Sequence, residues 1–185
     1  MKPALLIIDM QNDFFQTGPL AEQKEDLVAN INELINEARQ TDTPVIWIRQ
    51  EYQEDLSDAP LHNRRNNKSV TITGTSGVEI LSELDRQESD QVVIKKRFSA
   101  FYQTELQDLL QELNIDTLIV TGVNTMTCVR VTAIDAYQRD YQVILALDCV
   151  DAYDQEQHDN SIKYLQYSVS VGKTNTEIIE ILRAL

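Results

Sequence analysis

Short apolar runs alternate with amphipathic stretches from one end of the chain to the other. Five runs are mostly β-branched residues and leucine without polar alternation, at residues 4–8, 45–48, 92–94, 118–120 and 143–147. Runs of this kind are typical of strands that are covered on both faces, as in a parallel sheet. A sixth, short strand is predicted near residues 169–171.

The stretches between the runs carry helical patterns. Apolar residues recur at helical spacing on two faces, formed by Leu27, Ile31, Leu34, Ile35 and Ala38 and by Leu106, Leu109, Leu110 and Leu113. Further helices are predicted over 128–140, 155–167 and 175–185, the last with Thr174 as N-cap and Glu177 as its capping-box partner. Strand–helix alternation predicts an α/β fold, a three-layer α/β/α sandwich around an open, mainly parallel, doubly wound sheet of about six strands.

One segment breaks this rhythm. Residues 51–77 are polar and contain Pro60 and the basic run HNRRNNK at 62–68. Excursions of this length are uncommon unless they cover a site or meet a partner. We therefore predict a single domain over residues 1–185, with an excursion at about 51–77.

The net charge of the chain limits the classes of partner that it can bind. Among 185 residues, 30 acidic and 16 basic side chains give a net charge of −14. This balance repels phosphate backbones and anionic membranes, so we expect no nucleic-acid and no membrane partner. The two cysteines cannot form a multi-bridge framework, and no apolar run approaches the ~20 residues that span a bilayer. We expect a cytoplasmic protein.

Candidate chemistry follows the predicted strands. In open α/β sheets, ligands bind outside the carboxyl ends of the strands. The first strand ends at Asp9, the third ends at Lys95, and the fourth leads into the helix that begins at Cys128. An acid, an amine and a thiol at one sheet edge are a working set for nucleophilic catalysis.

Cys128 is the strongest candidate nucleophile. At a helix start it meets unpaired N–H groups and the positive end of the helix dipole, and Lys95 adds a positive charge, so we predict a thiol pKa below its usual ~8.5. Asp9 is placed to take the thiol proton and return it to a leaving group. The alternative is a buried cysteine that only packs, which is the preferred interpretation of Cys149.

Several other chemistries find no support in the pattern. The nucleotide-binding motifs G-x-x-x-x-G-K-[ST] and G-x-G-x-x-G and the hydrolase motif G-x-S-x-G do not occur. His62 and His158 lie far apart and outside metal-ligand spacings, so we expect no metal and no cofactor. Strand alternation directs Lys95 toward the site and its neighbour Lys96 toward solvent.

Three motifs together resemble a known family. The stretches LLIIDMQNDF (5–14), VVIKKRFSAF (92–101) and TGVNTMTCVRVTAIDAYQRDY (121–141) resemble the isochorismatase-like cysteine hydrolases, as does GTSGVEI at 74–80. The family includes isochorismatases, nicotinamidases, N-carbamoylsarcosine amidase and ureidoacrylate amidohydrolases. The similarity covers most of the chain.

The resemblance implies roles for particular residues. Asp9 matches the general base, Lys95 the lysine of the catalytic triad and Cys128 the nucleophile. A cis peptide four residues before the cysteine would here join Val123 and Asn124. Its implied role is to turn the Asn124 N–H toward the site, where it forms an oxyanion hole with the Cys128 N–H.

This sequence departs from the family pattern at some positions, and these departures favour some of the family's activities over others. Nicotinamidases hold a metal with a D-x-H pair after the second strand, and RQEY at 49–52 lacks it. Since the cysteine is present, we predict hydrolysis of a C–N bond in a small amide or ureide through a thioester. An isochorismatase-type vinyl-ether hydrolase, using acid catalysis from Asp9, and a non-catalytic binding module remain alternatives. We also expect a small-molecule substrate and a homo-oligomer, a dimer or higher. The residues expected to contact the substrate are Phe14, Tyr52, Arg97, Phe98 and Phe101.

Overall fold

A six-stranded sheet organises the chain in the computed structural model, which describes residues 1–185. The strands are β1 (Pro3–Ile8), β2 (Val45–Gln50), β3 (Gln91–Lys95), β4 (Thr117–Val123), β5 (Gln142–Asp151) and β6 (Val171–Lys173). They lie in the order β3-β2-β1-β4-β5-β6, and every neighbouring pair is parallel. The predicted sheet is confirmed, and its sixth strand begins two residues later than the pattern indicated.

Seven α-helices connect and flank the strands. They are α1 (Pro19–Glu22), α2 (Lys24–Gln40), α3 (Leu61–Asn66), α4 (Leu106–Glu112), α5 (Cys128–Tyr137), α6 (Gln155–Ser168) and α7 (Asn175–Arg183). The Thr174–Glu177 capping box is present at the start of α7. Helix α5 ends three residues before the predicted boundary, because Asp140 takes a left-handed backbone conformation and the Tyr141 N–H bonds back to the Ala136 carbonyl.

Two hydrophobic cores cover the two faces of the sheet. Alternate residues of β1 divide between them, Leu5 and Ile7 facing one core and Leu6 and Ile8 the other. The first core has 23 buried residues and includes the apolar faces of α2 and α7. The second has 22 buried residues and includes those of α4 and α5. These layers are the three-layer α/β/α arrangement that the alternating pattern predicts.

The sheet reverses its winding between β1 and β4. From β1 the chain adds β2 and β3 on one side, and it then returns to place β4 against the other side of β1. The two strands run so close together here that a Cβ atom on Gly122 would lie 2.0 Å from the Ile8 carbonyl oxygen. Only glycine fits this approach, and its φ of +100° also favours glycine. A crevice opens at the carboxyl ends of such diverging strands.

The excursion at 51–77 forms a separate wall beside this crevice. It contains α3, which has no buried residue, and a short 3-10 helix, Ser76–Val78. A small core of its own, made by Tyr52, Leu56, Ala59 and Ile72, holds it together. The Tyr52 N–H donates to the Thr71 carbonyl at 2.9 Å, so the end of β2 fixes the far side of the excursion.

No helix of the fold combines the length and the apolar character that crossing a membrane requires.

Candidate active site

The three residues predicted to form a triad meet at the carboxyl edge of the sheet. The Lys95 ammonium lies 2.8 Å from Asp9 Oδ2 and 3.3 Å from Cys128 Sγ. All three side chains are buried, with relative exposures of 0% for Lys95, 1% for Asp9 and 5% for Cys128. Asp9 and Cys128 are 119 positions apart in the chain (128 − 9), so the topology of the sheet brings them together.

Asp9 sits at the turn that ends β1. Its backbone adopts φ +54°, a left-handed conformation that aspartate tolerates better than most residues, and its N–H donates to the Ile48 carbonyl. The carboxylate pairs with Lys95, but neither oxygen accepts a well-directed hydrogen bond from the protein. Lone pairs of a buried carboxylate are therefore free to accept a proton from a thiol or a water molecule.

Lys95 is a buried cation that stays protonated. Burial by itself lowers the pKa of this amine, but the Asp9 carboxylate and Cys128 outweigh burial and raise the pKa above its ordinary value. Its ammonium also donates to the Arg97 carbonyl at 3.2 Å, which ties it to the loop after β3. Lys96 points the other way and pairs with Asp58 at 2.9 Å on a partly exposed surface.

The prediction of a low thiol pKa is wrong for the resting site. Burial first, and then the Asp9 carboxylate, raise the pKa of Cys128 to about 12, and Lys95 offsets only part of this rise. The helix starts at Cys128 as expected, but the Asp9 carboxylate beside the thiol opposes ionisation of the sulfur. The resting site holds a neutral thiol between a carboxylate and an ammonium.

Free backbone donors lie at Cys128 and in the residues just before it. The N–H groups of Asn124, Met126 and Cys128 donate to no protein acceptor, whereas those of Thr125 and Thr127 bond to the carbonyls of Asp151 and Asn124. The peptide bond between Val123 and Asn124 is cis. Unpaired N–H groups at the start of α5 can bind a negatively charged oxygen next to Cys128.

A cleft leads from the surface to Cys128. Its volume is about 550 Å³, within the ~300–1,000 Å³ of ordinary small-molecule sites. Aromatic and apolar side chains share its lining with a few polar groups: Phe14, Val70, Phe98 and Met126 with Gln50, Tyr52, Asn63, Lys68 and Tyr153. The excursion supplies one wall, and the end of β2 and the turns after β1, β3, β4 and β5 supply the rest.

The structure brings some of the predicted substrate contacts to this cleft and not others. Phe14, Tyr52 and Phe98 line it. Arg97 does not, because its guanidinium donates to the carbonyls of Asp58 and Lys96 at 2.7 and 2.6 Å. Phe101 is buried in the second core and stacks on a neighbouring tyrosine, so it forms no wall of the cleft.

Sequence reasoning missed several residues of the site. Tyr153, two residues after β5, lines the cleft, and burial raises its pKa to about 12. Gln50 also lines the cleft. Its backbone N–H is not available to a ligand, because it donates to the Gln11 side chain at 2.8 Å. The Gln11 amide in turn donates to the carbonyls of Gln50 and Val78, both at 2.7 Å. Gln11 follows Asp9 by two residues, and this proximity in the sequence is the one signal that could have indicated a role for Gln11 at the site.

A hydrogen-bonded clamp joins the loop of Lys95 to the helix of Cys128. Ser99 Oγ donates to Asp135 Oδ2 at 2.5 Å and accepts from the Phe101 N–H at 3.0 Å. The Ala100 N–H donates to Thr132 Oγ1 at 3.0 Å. Because Thr132 and Asp135 both belong to α5, these bonds fix the position of the amine relative to the thiol.

The residues at the end of β2 and directly after it do not fit a metal centre. Gln50 donates its side-chain amide to Thr71, and the Glu51 carboxylate is held by Arg49 at 2.6 Å. His62 is exposed on α3, while His158 lies 3.0 Å from Thr125 Oγ1. No group of three or more histidine, cysteine, aspartate or glutamate side chains is arranged to hold an ion.

Comparisons with known proteins identify a family and a relative for this chain. The Isochorismatase domain family matches residues 3–177. A protein of Arabidopsis thaliana named a probable inactive nicotinamidase is 36% identical over 167 residues, which cover 86% of this chain and 85% of that protein.

Two solved structures share the fold over nearly the whole chain. A cysteine hydrolase from Pseudomonas syringae pv. phaseolicola is 25% identical, with a TM-score of 0.92, covering 99% of this chain and 93% of that one. N-carbamoylsarcosine amidase from Thermoplasma acidophilum is 29% identical, with a TM-score of 0.81, covering 95% and 97%. The chain belongs to the isochorismatase-like hydrolase family.

Proposed function

We propose that this protein is a cysteine hydrolase that cleaves the C–N bond of a small amide or ureide through a thioester. The observation that carries the proposal is the Lys95 ammonium, which lies 2.8 Å from the Asp9 carboxylate and 3.3 Å from the Cys128 sulfur at the end of the cleft. Apolar side chains would pack this position at least as well as a buried acid, amine and thiol in mutual contact. The three polar groups are therefore better explained by chemistry than by packing.

In the first half of the reaction, Asp9 takes the thiol proton as Cys128 Sγ bonds to the substrate carbonyl carbon. The Asn124 and Cys128 N–H groups donate to the oxygen, which becomes negative. The C–N bond then breaks, and the proton held on Asp9 passes to the departing nitrogen. Ammonia or an amine leaves, and the acyl group stays on sulfur.

In the second half, water replaces the amine. Asp9 accepts a proton from water, whose oxygen bonds to the thioester carbon, and the C–S bond breaks. The sulfur regains the proton, and a carboxylic or carbamic acid is released. Lys95 remains protonated throughout, since its raised pKa keeps the charge that stabilises first the carboxylate and then the forming thiolate.

A vinyl-ether hydrolase of the isochorismatase type is the second candidate. The buried Asp9, whose oxygens accept no directed hydrogen bond, would also serve as the acid for that reaction. Such an enzyme does not need a sulfur nucleophile, so the two candidates differ in their dependence on Cys128.

A substrate panel with matched variants tests the proposal. Primary amides, ureides and isochorismate are assayed for release of ammonia or pyruvate with the wild type, Cys128→Ala and Asp9→Asn. We expect ammonia release that both substitutions abolish. Pyruvate release that survives Cys128→Ala and fails with Asp9→Asn would support the vinyl-ether reaction instead. Turnover of no panel member, with no covalent adduct at Cys128, would favour a binding module.

A further inference from the structure

Two buried polar side chains at the end of β2 and just after it, Gln50 and Tyr52, present unpartnered oxygen atoms to the cleft. We call them the β2 pair. Their relative exposures are 5% and 1%, and both line the cleft beside Cys128. The Gln50 side-chain nitrogen donates to Thr71 at 3.2 Å, but Gln50 Oε1 accepts no hydrogen bond and the Tyr52 hydroxyl makes none. Neither oxygen is one of the fully enclosed polar atoms without a partner, so both reach the open space that these residues line.

The other polar side chains of the cleft differ from the β2 pair in burial or in bonding. Asp13 is partly exposed, and its carboxylate accepts from the Thr71 N–H at 2.6 Å, while Lys68 is exposed. Asn124 is buried, but its Oδ1 accepts from the Tyr153 N–H at 3.1 Å. Among the buried side chains that line the cleft, the β2 pair therefore holds the neutral oxygen atoms that are available to a ligand.

Hydrogen bonds fix the backbone at both positions. The Gln50 N–H and carbonyl both bond to the Gln11 side chain, at 2.8 and 2.7 Å. The Tyr52 N–H donates to the Thr71 carbonyl, and the Tyr52 carbonyl accepts from the Thr73 N–H, both at 2.9 Å. The Tyr52 side chain packs in the small core of the excursion. Atoms that are already in place bind a ligand with little further loss of conformational freedom.

The charges near the β2 pair favour a neutral partner. Burial raises the pKa of Tyr52, and the Lys95 ammonium offsets only part of this rise, so the hydroxyl stays protonated and uncharged. Lys95 is itself paired with Asp9, which leaves no free charge here to compensate a buried ion. An uncharged N–H group needs no such compensation, and both oxygen atoms can accept from it.

The β2 pair also faces the cleft from a different side than the backbone donors do. Strands β2 and β4 flank β1 on opposite sides, and Asn124 directly follows β4. A carbonyl whose oxygen binds the Asn124 and Cys128 N–H groups can thus direct one of its substituents toward the β2 pair.

We propose that the β2 pair is a neutral hydrogen-bonding subsite that accepts an N–H group next to the scissile carbonyl, so that the enzyme selects a ureide over an amide of the same shape. A ureide has nitrogen on both sides of its carbonyl, whereas a simple amide has carbon on one side. A site built to bond an N–H group discriminates against the analogue that lacks it, because the buried oxygen atoms are then left unpaired. This inference rests on the proposed function for the reaction, but the subsite can be tested without turnover.

The test compares two thiol reagents of the same shape. Chloroacetamide and chloroacetone differ by an amino group in place of a methyl group. In both reactions the Cys128 sulfur bonds to the chloromethyl carbon, the C–Cl bond breaks, chloride leaves, and the thiol proton passes to Asp9 or solvent. Mass spectrometry with peptide mapping gives the two rate constants at Cys128. Their ratio, compared between variants, reports the preference of the cleft for an N–H group.

Gln50→Met and Tyr52→Phe each remove one oxygen and keep the approximate shape of the side chain. We expect each to lower the amide-to-ketone ratio about three- to tenfold, as for one neutral hydrogen bond. Gln138→Met and Tyr167→Phe are the matched controls, because these side chains are exposed and lie outside the cleft. Both controls should change the ratio by less than about 1.5-fold, and circular dichroism establishes that every variant is folded.

The outcomes separate the two proposals. A ratio at the control level in either folded variant overturns the β2 pair as a subsite and leaves the cysteine chemistry intact. Failure of both reagents to modify Cys128 contradicts the proposed function itself. A second arm uses the wild type and tests methylurea and propionamide, which differ by NH in place of CH2, as protectants of Cys128 against chloroacetone. We expect methylurea to protect at lower concentration, and equal protection by the two would also overturn the subsite.

Discussion

The surroundings of the two cysteines differ although the thiols themselves are alike. Cys128 and Cys149 are both free and buried, and burial is the largest cause of the raised pKa of each. Cys128 opens onto a cleft and touches an ammonium that is paired with a carboxylate. Cys149 lies in the first core, where its thiol donates to Asn175 Oδ1 at 3.1 Å. Burial and thiol pKa therefore do not distinguish a nucleophile from a packing residue.

The difference lies in where a proton and a charge can go. At Cys128 the proton moves to Asp9, and the negative charge that remains on sulfur faces Lys95. At Cys149 the next contributions after burial include the Asp148 carboxylate, which raises the thiol pKa further, and no cation opposes it. Ionising Cys149 would place an unpaired negative charge in an apolar core, at a high cost in free energy.

Alanine substitutions should give the largest contrast. We expect Cys128→Ala to lower kcat/KM for ammonia release by at least about a thousandfold, because no thioester can form without the sulfur. Cys149→Ala should stay within about threefold of the wild type, since it removes one small buried group away from the cleft. Steady-state assays of both purified variants check this, with circular dichroism to establish that each is folded.

An inactive Cys149→Ala variant that is fully folded would contradict the comparison. So would a Cys128→Ala variant that releases ammonia at the wild-type rate.

Alkylation should separate the thiols next. We expect iodoacetamide to modify Cys128 at least about a hundredfold faster than Cys149, because only the first sulfur is reached from solvent and has an adjacent base. The raised pKa gives the sign of the pH dependence: the thiolate fraction, and with it the rate, should keep rising above about pH 8.5, where an ordinary thiol levels off. Mass-mapped rates across that range check both statements. Faster labelling of Cys149, or a rate at Cys128 that is already constant at neutral pH, would contradict them.

The sequence predicts the triad well for a physical reason. Apolar runs without polar alternation locate parallel strands, and parallel strands bring their carboxyl ends to one edge. Asp9, Lys95 and Cys128 stand at or just beyond such ends, so their meeting follows from the strand pattern.

The rest of the site depends on contacts that this pattern does not contain. Strand β5 continues through Asp148 to Asp151, past a register shift against β4, and this longer strand brings Tyr153 to the cleft. Arg97 follows Lys95 by two residues, yet backbone carbonyls satisfy its guanidinium. The direction of the shift in the Cys128 pKa depends on how close the Asp9 carboxylate lies to the sulfur, and the spacing of residues along the chain does not give that distance.

Supporting hydrogen bonds should show opposite effects around the two cysteines. Ser99→Ala removes the clamp to Asp135, so we expect kcat to fall about tenfold through loss of placement of Lys95, with the melting temperature nearly unchanged. Asn175→Ala removes the partner of Cys149 and bonds to Asn30 and Glu33, and should cost about 1–3 kcal/mol of stability, or several degrees, with little change in kcat.

Ser99→Thr keeps the hydroxyl and should restore most of the lost activity, which a purely structural role would not predict. Equal losses of activity in Ser99→Ala and Asn175→Ala would remove the distinction between the two regions.

Alkaline pH should produce the smallest effect and the finest test of the comparison. A thiol has a pKa of about 8.5 in the unfolded chain, and both cysteines have raised values in the folded protein. Above that pH the unfolded chain releases protons that the folded chain retains, so each thiol contributes stability that is complete below about pH 8.5 and is lost as pH rises. For each cysteine the loss between about pH 8.5 and 9.5 is about 1 kcal/mol, or about 2–4 °C in melting temperature.

Cys149→Ala should therefore melt with a weaker pH dependence than the wild type over that range. Asp9→Asn should weaken the dependence through Cys128 alone, because the carboxylate is the second cause of its raised pKa and does not act on Cys149. Adding Asp9→Asn to Cys149→Ala should then reduce the remaining slope further, and scanning calorimetry at several pH values measures each step. If Asp9→Asn leaves the slope unchanged in the Cys149→Ala background, the carboxylate does not hold the Cys128 proton, and the proton transfer from Cys128 to Asp9 loses its electrostatic basis.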